Sequence, residues 1–426
     1  MTSRGRVRKA LNHEQPDRVP VDLGSTAVTG IAAGALTRLR KALGIHAGPV
    51  KVHEPFQILG FPENDILEAL QVDVIGLWGP GTIFGYRNEG WKPWKLFDGT
   101  DVLVGRDFNL SEDSEGNLYI HPGGDRSARP SAKLPKGGFY FDNIVRQQPI
   151  DEDDMNGRRD FSEDFKELSD ETCRYLEEQS RYLYDNTQYS IIGAFSQGSL
   201  GDAAPLPGPG LKETRGIRSV EEWLIAHYTH PDYIKEVYEF QTEMAVKNLQ
   251  LYKEAVGDRI DSIIISGTDF GTQRGEFMSP DMYREFYKPY HKRINDWVHA
   301  NTGWKTFYHS CGSIVNILDD LIEAGVDILN PVQCSAHGMD PKFLKEKYGR
   351  KLTFWGGAIN TQQTLPFGTP EEVKREALKR LEIFSCGGGF IYNAIHNIQH
   401  PTPVENMLAF FNAVNEFNSK AGETNE

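Results

Sequence analysis

The 426-residue chain is long enough to bury a large core, and with 39% apolar and 25% charged residues it has the composition of a globular enzyme, not of a fibre, a coiled coil or a disordered chain. A formal net charge of −14 argues against nucleic acid or an anionic membrane as partner, since either calls for a concentrated basic surface. Four cysteines are too few for a disulfide framework, and neither the N-terminal "MTSRGRVRKALNHEQPDRVPVDLG" nor any later run is apolar enough for a signal peptide or a membrane span, so a cytoplasmic protein is expected.

Short β-rich runs alternate with helical patterns along the chain. In order they are "DRVPVDLG" near Asp17, "VDVIGLW" near Val72, "SIIGAF" near Ser190, "SIIISGTD" near Ser262, "WKTFYHSCG" near Trp304, "DILNPV" near Asp327, "LTFWGGAIN" near Leu352 and "FIYNAI" near Phe390. Between most of them lie amphipathic stretches such as "SIVNILDDLIEAG" and "TPEEVKREALKRLEIF", several with Ser or Thr before the first turn. Eight strands with helical returns predict an α/β fold, a (β/α)8 TIM barrel, as one domain over residues 1–426. Residues 79–150 break the rhythm with Gly, Pro, Trp and strand-like pieces ("DVLVGRDFNL", "GNLYIHPGG"), and predict a hairpin-bearing insertion after the second strand that caps the barrel mouth. "GDAAPLPGPGLKETRG" reads as another long loop at the mouth, and residues 418–426 as a polar tail.

In such a barrel the chemistry lies at the C-terminal ends of the strands. Those ends carry Asp22, Asp269, His309, Cys311, Asn330, Gln333, Cys334, Asn360, Asn393 and His396. Residues two apart on a strand share a face, so His309 and Cys311 can aim at one centre while Ser310 turns away. Zinc accepts imidazole and thiolate together, and a catalytic zinc uses three protein ligands. The plainer reading of a lone H-x-C is a buried thiol and a core histidine. His396, Cys334 and Cys386, near the ends of later strands, supply further ligands and favour the metal.

"RKALNHEQPDRVPVDLG", "SGTDFGTQRGEFMSPDMYREFYKP", "FYHSCGSI" and "GGGFIYNAIHNIQHPTPVENM" resemble the uroporphyrinogen decarboxylase superfamily, over most of the chain outside 79–150. The resemblance implies a (β/α)8 barrel. The superfamily also holds zinc-dependent methyltransferases that work with corrinoid proteins and carry H-x-C followed much later by a third Cys. True decarboxylases have an arginine-rich stretch after the first strand, and "VDLGSTAVTGIAAG" has no arginine. Motif matching sets His396 where the methyltransferases have the third Cys, with Cys334 in reserve and Cys386 near the barrel bottom.

The chain looks most like the methyl-donor component of aromatic O-demethylase systems. The expected reaction therefore moves a methyl group from a methoxylated aromatic compound to Co(I) of a corrinoid (cobalamin) carried by a partner protein, with Zn2+ as Lewis acid. By the same resemblance Asp269 orients substrate or water at the metal, although a strand-end Asp also caps turns. Tyr308, Trp355 and Phe195 are candidate aromatic walls for the substrate, each with plain core packing as its alternative. Asn330, Asn393 and Glu54 are candidate polar contacts. An acceptor-side methyltransferase using a thiol or tetrahydropterin, a decarboxylase, and a non-catalytic corrinoid- or metal-binding protein remain alternatives.

Overall fold

The computed structural model describes residues 1–46 and 48–423. Seven strands form one parallel sheet whose spatial order follows the chain: Val74–Leu77, Ser190–Gly193, Ser262–Ser266, Lys305–His309, Ile328–Asn330, Thr353–Trp355 and Phe390–Ile391. The sheet curls into a TIM-barrel-like ring. Between its two edges lies the first expected strand, shortened to the segment Pro20–Asp22. Tyr392 donates to the Pro20 carbonyl, Asp22 donates to the Tyr392 carbonyl, and Asp73 donates to the Val21 carbonyl. Pro20 has no N–H to give, so this stave joins its neighbours by a bridge at Val21 and a few bonds in place of a full ladder.

Alternation along the strands sorts side chains into two layers. One residue from each strand (Val74, Ile192, Ile264, Phe307, Ile328, Trp355, Ile391) points into the ring and forms an interior cluster. The helix Ser3–Leu11 closes that cluster from the N-terminal end with Val7, Ala10 and Leu11, and Val28 packs on it from the mouth. The other parity, including Ile191, Ile263, Tyr308, Leu329 and Phe354, packs against the outer helices. Those helices start where the sequence predicts. Pro370–Phe384, for example, opens on a capping box in which Thr369 and Glu372 satisfy each other's backbone donors.

Residues 79–150 hold six short strands. Lys92–Lys95 and Asp101–Val104 join Val50–Glu54 and Leu59–Gly60 in a four-stranded sheet, so this region is built partly on residues that precede the second barrel strand. Leu110–Glu112, Leu118–Ile120, Ala132–Leu134 and Asp142–Asn143 form an antiparallel meander. Edge-to-face contacts among Phe84, Phe108 and Phe141 give the region an aromatic centre. At the other end of the chain, the helix Val404–Glu423 takes in the first residues of the expected polar tail, and 424–426 lie outside the described residues. No helix among the described residues is long and apolar enough to cross a membrane.

Candidate metal centre

His309 ends the strand Lys305–His309, and Cys311 follows two residues on. Parallel pairing sets His309 beside Asn330 on the next strand. The Asn330 Nδ2 donates to the Trp355 carbonyl at 2.8 Å, which leaves Oδ1 facing the imidazole, where it accepts from His309 Nδ1 at 2.6 Å. The proton is thereby held on Nδ1, and the Nε2 lone pair is turned toward the mouth. Cys311 Sγ lies 3.4 Å from that Nε2.

His396 reaches the same point from the loop after Phe390–Ile391. Its ring centroid is 5.4 Å from that of His309 with the planes near perpendicular, and one ligand atom each from His309, Cys311 and His396 fall within 4.8 Å of one another. Zinc bonds of about 2.1 Å to nitrogen and 2.3 Å to sulfur at a tetrahedral angle separate the two ligand atoms by about 3.6 Å, so the observed spacing fits one ion without rebuilding the strand ends.

The loop after Ser262–Ser266 is pressed against Cys311 by two glycines lying backbone to backbone. A Cβ on Gly271 would stand 2.7 Å from the Cys311 carbonyl oxygen, and one on Gly312, whose φ is +87°, would stand 2.3 Å from the Gly271 carbonyl carbon. This approach brings Asp269 to the site. Its Oδ1 accepts from the Cys311 N–H at 2.6 Å and lies 3.7 Å from His309 Nε2, while its side chain stays 47% exposed.

Burial governs the protonation of the three ligands. It lowers His309, and it lowers His396 to about 4 with repulsion from His309 adding to the effect, so both imidazoles are neutral and ready to bind a metal at neutral pH. It raises the Cys311 thiol well above its ordinary value, and the Asp269 carboxylate pushes the same way. The sulfur therefore binds a metal only by giving up a proton, which a cation favours and the neighbouring carboxylate alone does not. Beside the cluster, Cys311, His396 and the amide side chains of Gln273, Gln333, Asn360 and Gln362 line a cavity of about 280 Å³.

Other expected site residues lie elsewhere. Cys334 is outside the ligand cluster; its thiol lies 4.0 Å from the Gly357 carbonyl, and burial raises it to about 11. Cys386 is exposed. Tyr308 points away from the mouth and donates to Asn295 on the outer helix Lys288–Asn301, as alternation requires of the residue before an inward His309. Phe195 packs edge-on against Tyr252 of the helix Pro231–Val256. Trp355 is fully buried, edge-on to Phe307 in the ring interior, with its Nε1 donating to Asp22 Oδ2 at 2.8 Å; it is floor, not wall.

Asn393 donates to the carbonyls of Asp22 and Thr29 and ties the first stave to the last. Glu54 accepts from the N–H groups of Phe56 and Gln57 in its own turn, and burial raises it to about 7. The sequence offers Asn330 only as a polar contact for a substrate and does not single out Asp202. Asn330 is the partner of a ring nitrogen, which only strand register reveals. Asp202, in the loop after Ser190–Gly193, is a carboxyl raised to about 7 by burial and by the like charge of Asp269, and its contacts are too distant in sequence to leave a local signal.

A model of the uroporphyrinogen decarboxylase family (URO-D) matches residues 211–417. The matched part holds His309, Cys311, His396 and Asp269. Among curated proteins, the uroporphyrinogen decarboxylase of Pseudoalteromonas translucida (strain TAC 125) is 28% identical over 154 residues, covering 34% of this chain and 40% of that protein. That of Trichodesmium erythraeum (strain IMS101) is 27% identical over 226 residues, covering 51% and 59%. The chain thus spans about two fifths to three fifths of the length of these relatives. Among solved structures, a methyltransferase from Methanosarcina mazei superposes with a TM-score of 0.55 over 98% of this chain and 99% of that one, at 18% identity. At that identity the likeness speaks for the fold.

Proposed function

We propose that the protein is a zinc-dependent methyltransferase that takes the methyl group of a methoxylated aromatic compound and passes it to Co(I) of a corrinoid held by a partner protein. The observation that carries the reading is the convergence of His309, Cys311 and His396, with Asn330 fixing the tautomer of His309, on the rim where this fold performs chemistry. The likeness in fold to the Methanosarcina methyltransferase supports it. His309, Cys311 and His396 would hold the zinc, which would supply a Lewis acid for the ether oxygen of the donor.

The chain's own residues do the rest. His309 and His396 present lone pairs, Cys311 gives up its proton on binding, and Asp269 grips the Cys311 N–H and faces the same opening. In this reading residues 79–150 cap the mouth, over which the corrinoid protein docks.

The names of the curated relatives favour a decarboxylase as second reading. A decarboxylase acting on a polycarboxylate needs a cationic pocket. The loop from Gly24 to Ala35 has no arginine, and Arg284 is spent on Asp281 and Asp320 in the outer helix layer.

The test is to mix the protein with a Co(I) corrinoid protein and a panel of methoxyaromatics and follow methyl-cobalt absorbance and release of the phenol. Purified protein is expected to carry about one zinc per chain. His396→Ala is expected to lose both metal and transfer. Turnover by metal-free protein would refute the reading, and demethylation of methyl-corrinoid by a thiol or tetrahydropterin would move the protein to the acceptor side.

A further inference from the structure

The cavity of about 280 Å³ beside the metal centre is bounded by the loops that follow five consecutive strands of the ring, from Ser262–Ser266 to Phe390–Ile391, and Cys311 and His396 form part of its wall. Among the described residues that line it there is no Asp, Glu, Lys or Arg, and no aromatic ring other than the His396 imidazole. Its polar surface is made largely of carboxamides: Gln273, Gln333, Asn360, Gln362, Asn397 and Gln399. Neither an ion nor an aryl ring finds its complement in such a wall.

Backbone contacts settle which end of two of these amides is free. Gln333, only 5% exposed, accepts from the Gly312 N–H at 2.7 Å through Oε1, and its Nε2 has no hydrogen-bond partner among the described residues. Asn360 accepts from the N–H groups of Gln362 and Gln363 at 2.8 and 3.1 Å through Oδ1, which leaves its Nδ2 free in the same sense. Gln273 and Gln362 join two of the loops: Gln273 Nε2 donates to Gln362 Oε1 at 3.1 Å, and Gln273 Oε1 has no partner among the described residues. The cavity thus offers amide N–H donors together with a carbonyl acceptor, a pattern that a neutral primary amide completes from both of its ends. Burying such a donor unmet is costly, which favours a ligand that accepts from it.

We propose that this cavity receives one propionamide arm of the corrinoid, with Gln333 Nε2 donating to the arm's carbonyl and Gln273 Oε1 accepting from its NH2, and so sets the rotation of the ring over the metal. The proposal rests on the reading above and names how the site recognises the cofactor its partner carries. A corrin macrocycle is far too large for about 280 Å³ and has to lie over the rim, whereas the amide arms of its periphery are neutral and small enough to enter. A cavity walled by two of the metal's ligands is within reach of a ring whose cobalt must come to the methyl group held there. A carboxylate in place of that amide brings a charge with no cation to meet it and loses the NH2 that Gln273 accepts from. Turning the arm over sets carbonyl against carbonyl, so the two contacts read its orientation as well as its presence.

Equilibrium dialysis of the full chain against cyanocobalamin, read by cobalamin absorbance, tests this without any methyl transfer. The comparison ligands are the monocarboxylic acids of cyanocobalamin, each with one propionamide arm hydrolysed to a carboxylate. The expected result is that cyanocobalamin binds, that one of the acids binds about tenfold more weakly, and that the others match the parent. Gln333→Glu keeps the bond from the Gly312 N–H but replaces the free donor with an acceptor, and should weaken cyanocobalamin about fivefold. Gln362→Lys, at an exposed position, brings a cation to the rim and should return the weakened acid to within about twofold of cyanocobalamin. No binding of cyanocobalamin, equal binding of it and all the acids, or undiminished affinity in Gln333→Glu overturns the proposal. Methyl transfer to a Co(I) corrinoid protein with cyanocobalamin and its acids bound alike sinks this inference and leaves the methyltransferase reading standing. Discrimination against one acid without transfer from any methoxyaromatic sinks the donor-side reading alone.

Discussion

The two ends of the barrel treat charge in opposite ways. At the N-terminal end, Asp73 is fully buried and meets Arg6 at 2.6 Å, Arg18 at 3.0 Å and the Val21 N–H, and Asp261 meets Arg8 at 2.6 Å and the Ser190 hydroxyl. At the mouth, Asp202 has an oxygen without a hydrogen-bond partner among the described residues, Cys311 is a thiol beside a carboxylate, and His309 and His396 bring ligand nitrogens within 4.8 Å of each other. Charges at one end hold the ring together. Those at the other are left incomplete, as the proposed metal and substrate site would require, at a cost in stability.

The largest expected effect is at the satisfied end. Asp73→Ala removes a fully buried carboxylate from Arg18, from the Val21 N–H and from Arg6, which keeps only the Asp17 carboxylate, and should cost about 3 kcal/mol in urea denaturation, while the folded fraction takes up zinc as the parent protein does. A loss below about 1 kcal/mol would dissolve the contrast between the ends. Next is Asn330→Ala at the mouth, which frees the Nδ1 proton of His309 to wander. Zinc affinity, read by competition with a chelator, should fall about 10- to 100-fold.

A third test works through pH. An acid raised in the folded state from its ordinary 3.8 to about 7 destabilises the fold as pH climbs through that interval, because the unfolded chain ionises first. Asp202→Asn lacks this penalty, so its stability relative to the parent protein should improve between pH 5 and pH 8; a difference independent of pH would show that Asp202 is already ionised in the fold. The smallest effect is expected for Cys386→Ser, exposed and remote from the ligands, which should change stability by less than about 0.5 kcal/mol and leave zinc content unchanged.

These contrasts also explain what the sequence disclosed. Runs such as "SIIISGTD" were legible as parallel strands because both of their faces are buried, one in the ring and one under helices. "DRVPVDLG" was legible as a stave but not as a minimal one, since the missing N–H of Pro20 shows its effect only when the neighbours are known. His309 and Cys311 followed from a period of two. The same period, carried one residue back, sends Tyr308 outward. Asn330 and Asp202 depend on register and on loops meeting across the mouth, which no local pattern encodes.

The thin first stave has a consequence for how the protein is made. Asp22 and its partner Asn393 are 371 positions apart in the chain. During synthesis the segment Pro20–Asp22 emerges well before one of its two neighbours, which does not exist until residues 390–392 have left the ribosome. Every nascent intermediate before that moment is an open curl with two unpaired edges, and loop-closure entropy for the longest contact is met last. A ribosome paused short of Phe390 would hold an adhesive sheet edge that a chaperone must cover.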